Sequence, residues 1–183
     1  MSKKEEEVRG LLNIPNMLTG LRILLVPVFI RVYFHNPGVL PVAVLALSAL
    51  TDLLDGQIAR RFNQVSDLGK LLDPIADKLT QGAMLICLLT RFPKFWIPLI
   101  LMLLREAFVG VTSVLAIKKS GRVEGAEVHG KIATVLLYAL ALSHLLFNHI
   151  PEALSNALVV VTTVAMALSF VLYAKKNLKI MRT

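Results

Sequence analysis

The stretch DLLDGQIARRFNQVSDLGKLLDPIAD, residues 52–77, decides how the rest of the chain is read. Its polar frame is D-x2-D-G-x2-A-R-x8-G-x3-D-x3-D, made by Asp52, Asp55, Gly56, Ala59, Arg60, Gly69, Asp73 and Asp77. Asp52 and Asp55 are three residues apart, Asp73 and Asp77 four. Either spacing puts both carboxylates of a pair on one helix face. Apolar runs flank the stretch, VLPVAVLALSAL before it and MLICLL after it. The first pair therefore closes one hydrophobic helix and the second opens the next. A short polar loop at Arg61–Asp67 turns the chain back.

Two antiparallel helices then hold two carboxylates each at close range. Four such groups repel one another and stay partly protonated unless something neutralises them. Bound divalent metal is the simplest remedy. Hard oxygen ligands select Mg2+, Mn2+ or Ca2+ over zinc. Four carboxylates suit two ions better than one, and two ions a few ångströms apart suit displacement at phosphorus. Any one of these acids alone reads as a helix cap or loop acid. Four in register with Gly56 and Arg60 do not, because acids at a membrane edge are costly and mark function.

The 183 residues are 56% hydrophobic and 17% charged, with a mean hydropathy of +0.69. That composition excludes a soluble domain of this size and indicates a single all-α integral membrane bundle. Cys87, in an apolar run, reads as a small core hydrophobe, and one cysteine allows no disulfide framework. No cleavable signal peptide is expected, since the first apolar run lacks a small-residue cleavage site. The net charge is +8. The basic residues sit at helix ends, so membrane lipids and phosphate-bearing substrates are the expected partners, and nucleic acid is not.

Residues 1–12 are expected to form a short interfacial helix. Six transmembrane helices follow within 13–174, at about Met17–Phe34, Leu40–Arg60, Gly69–Thr90, Phe95–Ile117, Lys131–Phe147 and Ala153–Tyr173. Each is near the ~20 residues needed to span a bilayer. Asn16 or Thr19 is expected to mark the start of the first helix, and Pro27 to kink it. Residues 175–183 form a basic tail. Trp96 and Tyr173 read as interfacial belt residues. Fifteen Lys and Arg residues fall on the side of the two termini and the acid stretch, against Arg31, Arg91 and Lys94 on the other. Both termini and the acid site are therefore expected to be cytoplasmic.

The frame from Asp52 to Asp77 resembles the signature of the CDP-alcohol phosphatidyltransferase family, with all eight positions met. The likeness extends to the six-helix plan and to the leading IPNMLTGLR stretch, whose Asn16, Thr19 and Arg22 are similar to the family's PN-x-LT-x2-R element. The resemblance implies an enzyme that cleaves the diphosphate of CDP-diacylglycerol, passes the phosphatidyl group to an alcohol and releases CMP. It implies that Asp52, Asp55, Asp73 and Asp77 hold two Mg2+ or Mn2+ ions, with Asp77 also the general base. Asp52, Gly56, Ala59, Arg60 and Gly69 would meet the CDP moiety. It also implies a homodimer in a bacterial inner or plasma membrane.

An acceptor alcohol carrying its own phosphate needs fixed cations. Arg105, Arg122, Lys131 and Thr134 are the candidates, with Asn16, Thr19 and Arg22 added from the first helix; Arg22 sits in an apolar run and needs a partner. Arg105-Glu106 and Gly130-Lys131 resemble the R-E and G-K-x-K-T elements of the subgroup that makes phosphatidylglycerophosphate, which implies sn-glycerol 3-phosphate as acceptor. Ala133 stands where the second Lys of that element is expected, and VGVTSV lacks a further Arg. Phosphatidylglycerol as acceptor, as in cardiolipin synthesis, therefore stays open. Membrane prenyl transfer also uses D-x3-D pairs, but the Gly56–Ala59–Arg60 register and the short chain oppose it. A divalent-cation transporter should carry acids at mid-membrane depth in several helices, whereas these cluster at one edge.

Overall fold

The structure, a computed structural model, describes residues 13–36, 38–62, 67–120, 128–147 and 149–182. The long elements among them are helices: α1 (Ile14–His35), α2 (Val39–Arg61), α3 (Asp67–Leu89), α4 (Trp96–Ser120), α5 (Val128–Leu146) and α6 (Glu152–Arg182). A 3-10 turn at Pro93–Phe95 leads into α4. The expected interfacial helix at 1–12 lies outside the described residues.

Several helix ends differ from expectation by two residues or more. α1 starts at Ile14, ahead of Met17, because Asn13 is its cap: the Asn13 side chain accepts the Asn16 backbone N–H at 2.9 Å. Pro15 sits in the first turn, where a missing N–H costs nothing. α3 starts at Asp67, two residues before Gly69. α6 runs past Tyr173 through the expected basic tail to Arg182. No Gly or Pro interrupts that tail, and Ala, Lys, Leu, Met and Arg are good helix formers. Asn177 is buried there and its side chain donates to Thr112 Oγ1, tying the extension to α4. Gly38 opens α2 at φ 120°, a conformation that favours glycine.

Five spans among the described residues are long and apolar enough to cross a membrane: Ile14–His35, Val39–Ile58, Pro93–Thr112, Val128–Leu146 and Glu152–Asn177. Six were expected. α3, at 23 residues, is long enough but carries Asp67, Lys70, Asp73, Asp77 and Lys78 in its first half. The charges of the acid stretch displace the apolar run to Ala83–Leu89. Large apolar side chains stand exposed on the five spans, Leu24, Leu47, Leu103, Val135 and Val160 among them. A surface of that kind suits lipid rather than water. The protein is an all-α integral membrane protein.

The chain groups into two compact units, Met1–Cys87 and Leu88–Thr183. In the first, α1 and α2 pack as an antiparallel hairpin with Phe29, Tyr33 and Leu45 buried. α3 buries Ala76, Met84 and Leu85. Hydroxyls in these helices turn back onto their own backbone, Thr51 to the Ser48 carbonyl and Thr80 to that of Ala76, which satisfies them without water. In the second unit α6 packs on both α4 and α5. Its core holds His144 edge-on to Phe92 and Phe95, with ring centroids 4.8 and 4.9 Å apart. The His144 nitrogens lie 2.8 Å from the Leu140 carbonyl and 2.9 Å from Ser155 Oγ.

Candidate active site

The hairpin sets the beginning of α1 beside the end of α2. Thr19 and Arg22, one turn apart on α1, therefore face Asp52 and Asp55, one turn apart on α2. The first half of α3 adds Asp73 and Asp77. Arg22, only 2% exposed, is the centre of the arrangement. Its Nη2 lies 2.6 Å from Asp52 Oδ1 and also pairs with Asp55 Oδ2, while Nη1 lies 3.0 Å from Asp77 Oδ1. The Thr19 hydroxyl is 2.6 Å from Asp73 Oδ1 and 3.4 Å from Asp55 Oδ2. Having one proton, it donates best to Asp73. One face of α1 thus touches all four carboxylates of the acid stretch.

The site has a closed side and an open one. Asp55 is buried with Arg22, whereas the side chains of Asp52 and Asp77 are 47% and 45% exposed. A guanidinium suits this place because its planar fork presents several donors at once and stays charged in a poorly solvated site. Four carboxylates against one guanidinium still leave excess negative charge. The donors are all hard carboxylate oxygens, the set that Mg2+ or Mn2+ prefers. Arg22 is threaded among them, and no three His, Cys, Asp or Glu side chains among the described residues converge on one ion position. The set fits hard divalent cations in chemistry, and Arg22 supplies part of the counter-charge.

Gly69 is buried near the start of α3, and Gly56 is half-buried one residue past Asp55. The side chains of Ala59 and Arg60, and all of Arg122, lie outside the described residues. Asn16 is buried one turn before Thr19. Thr19 and Arg22, expected on the acceptor's phosphate, are instead engaged with the carboxylates. The signal for that was present in the sequence: an arginine inside an apolar run requires a partner, and the acids are the available anions.

The remaining candidates belong to the second unit. The Arg105 side chain is 11% exposed, and its Nη1 lies 3.9 Å from Glu106 Oε1, the outer limit of an ion pair. Arg105 Cζ stands over the Tyr173 ring, 5.6 Å from its centroid. Lys131 is exposed, and the Thr134 hydroxyl donates to the Gly130 carbonyl at 3.0 Å. Tyr173, expected in an interfacial belt, packs against Arg105 and His129 instead. Its spacing along an apolar helix held no sign of those neighbours.

A sequence profile of the CDP-alcohol phosphatidyltransferase family matches residues 12–173. The chain belongs to the CDP-alcohol phosphatidyltransferase family. Curated relatives support the same grouping. The CDP-diacylglycerol–glycerol-3-phosphate 3-phosphatidyltransferase of Rickettsia bellii is 42% identical over 111 residues, 58% of this chain and 61% of the relative. The protein of the same name from Pseudomonas fluorescens is 41% identical over 91 residues, 48% and 47% of the two chains. A probable CMP-forming cardiolipin synthase of Drosophila melanogaster is 46% identical over 84 residues, 45% of this chain and 26% of that one. The chain spans about three-fifths or less of the length of the curated relatives it matches. The match runs through parts of both compact units, so the acid stretch and the Arg105 cluster fall inside the same family region.

Proposed function

We propose that the protein transfers a phosphatidyl group from CDP-diacylglycerol to sn-glycerol 3-phosphate, releasing CMP and forming phosphatidylglycerophosphate. The observation that carries the reading is the gathering of all four acid-stretch carboxylates, from two helices, onto one face of α1. The names of the bacterial relatives support the choice of substrates.

In this reading Asp77 takes the proton of the acceptor hydroxyl. The hydroxyl oxygen attacks the phosphorus that bears the diacylglycerol. The bond from that phosphorus to the oxygen bridging to CMP breaks, and CMP leaves with the bonding electron pair. Asp77 suits the role because its side chain is 45% exposed, open to a hydroxyl coming within hydrogen-bond reach. Asp52, Asp55, Asp73 and Asp77 would hold two Mg2+ or Mn2+ ions, which would supply positive charge to the diphosphate and to the leaving CMP. Arg22 and Thr19 keep the four carboxylates in place. Gly56, Ala59 and Gly69 leave room for the nucleotide, and Arg60 meets a phosphate. Arg105, Arg122, Lys131 and Thr134 are assigned to the phosphate of the acceptor. The acid site and both termini face the cytoplasm, where a water-soluble acceptor is available, with α3 crossing as the sixth span and its charged first half at the cytoplasmic edge, and the working form is a homodimer.

The test uses detergent-purified protein with CDP-diacylglycerol and Mg2+ or Mn2+. sn-Glycerol 3-phosphate, phosphatidylglycerol, inositol 1-phosphate and serine are offered in turn, and CMP is measured. CMP with sn-glycerol 3-phosphate alone, lost in Asp77→Asn, is the expected result. Phosphatidylglycerol as sole acceptor would reassign the protein to cardiolipin synthesis, a reading that Ala133 and the fly relative favour. Absence of CMP with every acceptor and metal overturns the enzyme reading.

A further inference from the structure

Arg105 is a cation in an apolar helix, and among the described residues no strong ion pair accounts for its position. Glu106 is its sequence neighbour, and at 3.9 Å it holds the guanidinium only loosely. Arg105 Nε is buried and has no hydrogen-bond partner among the described residues. The closest organised contact is aromatic: the guanidinium carbon stands over the Tyr173 ring at 5.6 Å, inside the ~6 Å range of a cation–π interaction. Such a contact uses the face of the guanidinium and leaves its in-plane N–H donors for another ligand.

Tyr173 is itself held. The His129 ring meets it edge-on with centroids 4.6 Å apart. His129 Nδ1 is 3.1 Å from the hydroxyl of Ser169, one turn before Tyr173 on α6. Gly130 supplies the clearance. A Cβ at that position would lie 2.7 Å from the Tyr173 hydroxyl, 3.0 Å from Arg105 Nη2 and 3.1 Å from Tyr173 Cε2. Real Cβ atoms essentially never come within the first of these distances. One helix brings the cation, a second its aromatic platform, and the third the bare backbone against which both pack.

We propose that Tyr173 is the positioning residue for Arg105, and that Gly130 lacks a side chain so that α5 can admit both. The proposal rests on the assignment of Arg105 to the acceptor's phosphate. A platform of this kind fixes where the guanidinium points while leaving its donors free for an oxyanion. It makes Tyr173 a determinant of acceptor affinity that does not itself touch the acceptor.

The experiment measures KM for sn-glycerol 3-phosphate, KM for CDP-diacylglycerol and kcat in Arg105→Gln, Tyr173→Leu, Tyr173→Phe and Gly130→Ala, with thermal unfolding of each. Tyr173→Leu is expected to raise the acceptor KM about tenfold, the scale of a desolvated cation–π contact. The KM for CDP-diacylglycerol should stay put. Tyr173→Phe keeps the ring face and should hold the acceptor KM within about twofold of the parent. Gly130→Ala reaches the same pair by a different route and should raise the acceptor KM even if the leucine variant fails to fold. If Arg105→Gln raises the acceptor KM and neither Tyr173→Leu nor Gly130→Ala does, the positioning role is refuted and the assignment of Arg105 stands. The positioning role is equally refuted if the variants raise both KM values together or lower kcat alone. If Arg105→Gln leaves the acceptor KM unchanged, the assignment of Arg105 falls, and the role of Tyr173 falls with it.

Discussion

Replacing Arg22 by Gln removes the cation around which the carboxylates are gathered, and the effect can be worked out pair by pair. Arg22 and Asp55 are both buried, and breaking a buried ion pair from one side costs about 3–5 kcal/mol, because the other charge is left uncompensated. Asp52 and Asp77 are nearly half exposed, so each of their pairs is worth only about 0.2–1 kcal/mol. Gln retains some hydrogen bonding, and the net loss comes to about 4 kcal/mol. For a chain of this size that lowers the melting temperature by roughly 8–16 °C. The assay is thermal unfolding in detergent, once with EDTA and once with excess Mn2+. The Arg22→Gln protein should melt well below the parent in EDTA and recover a large part of the difference with Mn2+, since a divalent ion then supplies the missing positive charge. Arg22→Lys keeps the charge but loses the fork, so it should fall between the two. An Arg22→Gln variant that melts within about 2 °C of the parent in EDTA would refute the claim that Arg22 neutralises the cluster.

Thr19→Val removes the donor to Asp73 and leaves that carboxylate short of a partner; a loss of about 1–3 kcal/mol is expected by thermal unfolding, with a lower rate of CMP release. Chelation with EDTA should abolish CMP release from the parent protein, and Mg2+ or Mn2+ should restore it, whereas Asp77→Asn should stay inactive at every metal concentration. Asn13→Ala deletes the cap of α1 and should cost about 1 kcal/mol, read as a drop of a few degrees in the melt. His144→Ala empties a buried slot between Phe92 and Phe95 and strands the Ser155 hydroxyl, so a loss of about 2–4 kcal/mol is expected without change in either KM.

The helices are legible in the sequence because apolar runs near membrane length leave few other structures open. Their ends are less so. Asn16 and Thr19 stand closer to the first apolar run than Asn13 does, and only the bond from Asn16 N–H to the Asn13 side chain identifies Asn13 as the cap. The helical tail of α6 is hidden because its charge suggests solvent, while the burial of Asn177 depends on Thr112, 65 residues away. Asp52, Asp55, Asp73 and Asp77 are legible as a group since their spacing alone puts each pair on one face. What they meet is not, because the contacts of Arg22 with Asp55 and Asp77 cross 33 and 55 residues. Tyr173 reads as a belt residue from its place near a helix end. Its neighbours follow from the absence of a side chain at Gly130, which has no signature along the chain.

The pairing of Arg22 with α2 bears on how the protein enters a membrane. α1 emerges from the ribosome before the acids that neutralise its guanidinium. An arginine in the first half of a lone hydrophobic helix adds up to about 2.5–3.5 kcal/mol, the cost at a helix centre, to the free energy of insertion. Asp55 follows 33 residues later, at the far end of the next helix, and its own charge is just as unwelcome in lipid. Each helix thus carries the neutralising group for the other. The two are expected to partition as one hairpin, with α1 waiting at the translocon until Asp52 and Asp55 arrive. The residues that gather the acid site in the finished protein would then also set the order in which its first two helices leave water.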